Sequence, residues 1–104
     1  MKNRYAIKKV DHMRGCNMAF FRSDAIAVNG YNEDLTSWGH EDGELVFRLH
    51  FNGVKKLSLK MGGNVFHMHH KQSSRDNEST HLHALEEVKS KRLSWCYNGI
   101  DKYL

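Results

Sequence analysis

The chain has 104 residues and a formal net charge of +4, with 27% charged and 39% hydrophobic content. That length holds one small domain with a modest core and excludes two. No apolar run approaches the roughly 20 residues of a membrane span, and the N-terminal Met1-Lys2-Asn3-Arg4-Tyr5 lacks the apolar stretch of a secretion signal, so the expected location is cytoplasmic.

The basic excess gathers at the two ends: Lys2, Arg4, Lys8, Lys9 and Arg14, then Lys89, Lys91, Arg92 and Lys102. These residues form no single stripe with interleaved aromatics, so nucleic acid is not an expected partner. A phosphorylated small substrate or an anionic membrane surface fits the same charge. Cys16 and Cys96 form no CxxC pair and read as buried free thiols.

In chain order, residues 1–14 are a polar, basic lead-in. Residues 16–21 (Cys-Asn-Met-Ala-Phe-Phe) are apolar, bounded by Gly15 and Arg22, and predict a buried strand. Ser23 is a good N-cap for a short helix over 24–29, with Gly30 as its stop. Residues 31–39 read as a loop. A second helix is predicted from Glu41 to about Asn52, ended by Gly53. Its acids Glu41, Asp42 and Glu44 suit the positive end of the helix dipole. Leu45, Val46 and Leu49 fall at helical spacing and predict its core face.

Residues 54–59 predict a strand, Met61-Gly62-Gly63 a turn, 64–67 a further strand and 71–78 a polar loop. A last helix is predicted from about Ser79 to Tyr97, ended by Asn98-Gly99, with Leu82, Leu85, Val88 and Leu93 as its apolar positions. Few strands covered by helices make an α/β or α+β arrangement. So thin a sheet leaves open edges, which predicts a homo-oligomer.

Two clusters carry chemistry. The first is Trp38-Gly39-His40-Glu41-Asp42-Gly43-Glu44-Leu45. Adjacent carboxylates at a helix start diverge by about 100°, so one can face a ligand while the other holds backbone or a cation. A carboxylate beside a sugar hydroxyl can serve as general base. The same pair is also what the dipole favours in any first turn, and the Trp-Gly context is what singles it out. Trp38 offers a flat face for a sugar ring, or packs in a core. The second cluster is His67-Met68-His69-His70. On a strand His67 and His69 share a face. No second cluster completes a structural zinc site, but one imidazole could join carboxylate and phosphate oxygens around Mn²⁺. His12, His50, His81 and His83 read as surface residues.

Residues 14–77 resemble the C-terminal part of a GT-A glycosyltransferase of the family 2 kind, and are most similar to the C-terminal segment of the β-1,4-galactosyltransferases. The resemblance lies in an ordered series. It runs through Gly15-Cys16-Asn17-Met18-Ala19-Phe20-Phe21-Arg22, Asn29-Gly30-Tyr31, the Trp38–Leu45 segment, Arg48-Leu49, Gly53 and the histidines at 67–70. It implies an α/β fold, a partial GT-A architecture of few short strands packed by helices with a long C-terminal helix, over a single unit at 1–104. It implies an inverting transfer from a nucleotide-sugar donor to a saccharide acceptor in polysaccharide biosynthesis. In that reading Asp42 is the base and Glu41 holds a sugar. Trp38, Gly39 and Asn17 contact substrate, and His67 or His70 ligates Mn²⁺ or Mg²⁺.

The chain departs from the family in one respect: no Asp-x-Asp occurs in it. The expectation is therefore a segment that is inactive alone (a fragment, a truncated product or a piece that needs a partner), located in the cytoplasm or at the inner face of the membrane. The alternative is a non-catalytic sugar- or metal-binding assembly module.

Overall fold

The computed structural model describes residues 18–36, 39–57 and 78–104. They form helix α1 (Arg22–Ala27), helix α2 (Glu41–Phe51), helix α3 (Glu78–Lys91) and a final 3-10 turn (Ile100–Tyr103). None of the described residues is in a strand. This corrects the α/β expectation: the described architecture is helical, not one of short strands packed by helices. Residues 18–21 and 54–57, both predicted as strands, are irregular. A strand exists only where a second extended segment pairs with it at about 4.8 Å, and neither stretch has such a neighbour among the described residues. Their apolar side chains are used differently. Met18 and Val54 pack against the buried cluster Val28, Leu45 and Leu49. The predicted strand at 64–67 and the turn at 61–63 lie outside the described residues.

The helices end by one device. Asn29, with φ 70°, sits just past α1; its N–H bonds the Ile26 carbonyl and that of Gly30 bonds the Ala25 carbonyl. Gly53, with φ 88°, repeats the pattern after α2: Gly53 N–H to His50 and Val54 N–H to Leu49, both at 3.0 Å. These are Schellman endings, in which a left-handed residue turns the chain so that orphan carbonyls find donors. Val54 then lies beside Leu49 in the core, the apolar contact that such endings favour. The last helix stops at Lys91, well short of the predicted Tyr97. Arg92 takes the left-handed conformation (φ 53°) and Leu93 N–H reaches back to Val88. α1 also begins earlier than predicted, after Phe21 rather than at a Ser23 cap, and Asn29 rather than Gly30 is its stop.

α2 packs against α3. Leu45, Val46 and Leu49 are buried as their spacing predicts, and Leu85 and Val88 are buried on α3. Leu82, predicted as apolar core, is exposed. The C-terminal segment is stitched to the end of α1 through Asn29, which is fully buried. Its amide donates to the Cys96 carbonyl and its side-chain oxygen accepts from Asp101 N–H, each at 2.8 Å. Gly99 lies so close that a Cβ there would meet the Asn29 carbonyl oxygen at 2.0 Å. Cys96 is a buried free thiol, as expected, and burial pushes its pKa up.

Candidate functional site

The site begins at the turn that starts α2. Gly39 has φ 122°, a conformation glycine adopts without strain, and is followed by His40 in the left-handed region at φ 64°. His40 is the N-cap, but its side chain caps nothing. The first-turn acids Glu41, Asp42 and Glu44 compensate the open N–H groups electrostatically. Glu41 also reaches back, accepting the Gly39 N–H at 2.9 Å.

From this turn the three acids go to different tasks. Glu44 points inward. It is buried with Arg48 one turn on, whose Nη2 lies 2.6 Å from its Oε1; Arg48 also donates to the Val28 carbonyl at the end of α1. Asn32 holds the other Glu44 oxygen at 3.3 Å. Asp42 is half-buried at the surface, and the Tyr31 hydroxyl donates to its Oδ1 at 3.0 Å. The Tyr31 phenol is pushed up to about 12, first by burial, then by that bond, then by the charges of Asp42 and Glu41. It stays a hydrogen-bond donor across the physiological range. Tyr31 engages Asp42 Oδ1, and no bond to Asp42 Oδ2 is found among the described residues.

The turn is braced from α3. His81 is buried, and its Nδ1 lies 2.7 Å from the Gly39 carbonyl oxygen. Glu78 lies against the same glycine, where a Cβ would meet Glu78 Cγ at 3.3 Å. His81 was expected at the surface and is instead one of the most buried side chains; His83 is exposed as expected.

Of the residues predicted for the site, Gly39, Glu41 and Asp42 come together on one turn. Trp38, Asn17, His67 and His70 lie outside the described residues. Tyr31, His81 and the Glu44–Arg48 pair were not predicted. The pair could have been found from its i,i+4 spacing with the acid first. Tyr31 lay inside the quoted Asn29-Gly30-Tyr31 stretch with no role given to it. Nothing in the local sequence signals His81.

A family model described as the N-terminal domain of galactosyltransferase matches residues 3–71. The chain belongs to the galactosyltransferase family. The matched span contains α1, the Gly39–Asp42 turn and α2, and runs past His67 and His70. The family is the one the sequence resembles, although the model is described as an N-terminal domain and the resemblance pointed to a C-terminal segment. No curated protein and no solved structure matches the chain. His81 and the rest of α3, which brace the family's turn here, follow the matched residues.

Proposed function

We propose that the chain carries the acceptor side of a glycosyl transfer, with Asp42 as general base. The observation that carries this reading is the Asp42 carboxylate, bonded through Oδ1 to Tyr31 on the first turn of α2 inside the family-matched span. In the reaction, Oδ2 takes the proton of an acceptor hydroxyl as its oxygen attacks the anomeric carbon of a nucleotide sugar. The bond from that carbon to the diphosphate breaks with inversion, and the nucleoside diphosphate leaves with the bond's electrons. Glu41, tied to the turn by the Gly39 N–H, sits beside Asp42 to hold a sugar hydroxyl, with Trp38 as the stacking face.

The proposal includes a divalent cation, Mn²⁺ or Mg²⁺, on His67 or His70, which when bound would stabilise the diphosphate leaving group. Among the described residues no group of three or more His, Cys, Asp or Glu could hold a metal ion; His67 and His70 lie outside them. The Asp-x-Asp-containing donor half is proposed to come from elsewhere.

Titration of the ¹⁵N-labelled chain with a panel of methyl hexosides, followed by amide shifts, tests the acceptor side. Saturable shifts at Gly39, Glu41 and Asp42, weakened about tenfold in Glu41→Gln, are expected. Shifts that never saturate, or that fall elsewhere, would contradict the placement. A parallel titration with UDP-galactose tests the metal: binding should need Mn²⁺ and be lost in His67→Ala or His70→Ala.

A further inference from the structure

We infer that His81 is a positioning residue for the Glu41–Asp42 carboxylates, acting as an Nδ1–H donor that fixes the Gly39–His40 turn from α3. This rests on the proposed role of that turn. The Gly39 carbonyl can only accept, so at 2.7 Å the hydrogen must be on Nδ1. The other ring nitrogen, Nε2, is buried and has no hydrogen-bond partner among the described residues. A hydrogen placed there would be a buried donor with nothing to receive it, which fixes the tautomer. Among the described residues the bond to Gly39 is therefore the only polar tie on a ring that is 1% exposed.

That tie lands at the one place where the backbone direction of α2 is decided. Two successive residues, Gly39 and His40, are in positive-φ conformations. The Gly39 N–H is engaged by Glu41, its carbonyl by His81, and the His40 carbonyl accepts the first helical bond from Glu44 N–H at 2.9 Å. Without the histidine bond the Gly39 peptide is free to rotate, and Glu41 and Asp42 are the next residues to feel it. Loss of aim by about 1 Å can cost a site on the order of a hundredfold.

The geometry gives an isostere test. An asparagine amide can stand where Nδ1 stands, whereas a glutamine amide reaches toward Nε2. His81→Asn should keep the bond and His81→Gln should lose it. Long-range ¹H–¹⁵N correlation on the wild-type ring is expected to show the Nδ1–H tautomer; the Nε2–H tautomer would overturn the inference. Amide shifts of Gly39–Asp42 should stay near wild type in His81→Asn and move in His81→Gln. Methyl hexoside affinity should fall about tenfold or more in the Gln variant only. Equal behaviour of the two variants at equal thermal stability would overturn the positioning role. A chain that binds no hexoside would sink the sugar reading alone, because the tautomer and the Asn/Gln contrast in amide shifts still decide what His81 does.

Discussion

At the scale of single residues, the three acids at the start of α2 show how neighbours in sequence separate in function. Glu44 is spent on structure: buried with Arg48, it ties α2 to the end of α1. Asp42 and Glu41 stay at the surface because α2's first turn faces outward there, and Tyr31 fixes one of them. The Tyr31 bond has a pH signature. Its folded pKa, about 12, lies above the ordinary 10.0, so the stabilisation is fully present below about pH 10. It is lost as the pH rises from there through about 12. In urea unfolding, wild type should exceed Tyr31→Phe in stability at neutral pH, and the gap should close as the pH climbs past about 10. A gap that stays constant with pH would show that Tyr31 does not donate to Asp42. The i,i+4 spacing offers the Glu44–Arg48 pair, but it does not say which of the first-turn acids Glu41, Asp42 and Glu44 is buried. Which of them faces inward depends on where α1 ends, a tertiary fact.

At the scale of elements, α2 was the most legible part of the chain. Its start at Glu41, its stop at Gly53 and its core face Leu45, Val46 and Leu49 all follow from dipole, glycine and 3.6-residue spacing. The strands predicted at 16–21 and 54–59 fared worse in their described parts, since a short apolar run fits a strand and a packed irregular segment equally well. The end of α3 was misplaced because an arginine took a left-handed position that the sequence reading reserves for Gly or Asn. One feature of α2 is open to improvement. Gly43 lies inside the helix, and a Cβ there would touch Leu85 Cδ1 at 3.9 Å, an ordinary contact. Gly43→Ala should therefore stabilise the chain by about 0.5–1 kcal/mol through lost backbone freedom in the unfolded state. A raised denaturant midpoint checks this; a lowered one would mean that α3 sits closer to α2 than described.

At the scale of the whole molecule, α3 and the C-terminal segment close the structure onto the turn that carries the carboxylates. His81 and Glu78 brace Gly39, and Asn29 binds the stretch from Cys96 to Asp101. Sequence alone placed the Gly39–Asp42 turn and the family, because both are written in contiguous residues. It did not place the bracing, which joins residues 42 positions apart. Self-association through sheet edges was expected from strands at 16–21, 54–59 and 64–67; the described parts, 18–21 and 54–57, are irregular, and 64–67 lies outside the described residues. Among the described residues no helix is long and apolar enough to cross a membrane. Asp42 is proposed as the base of a sugar transfer. That role is tested most directly by joining the chain to a donor-binding segment of the same family and measuring transfer from UDP-galactose by wild type and Asp42→Asn. A rate lower by roughly 10²–10⁴-fold is expected in Asp42→Asn, with hexoside binding retained. Wild-type transfer by Asp42→Asn would contradict it.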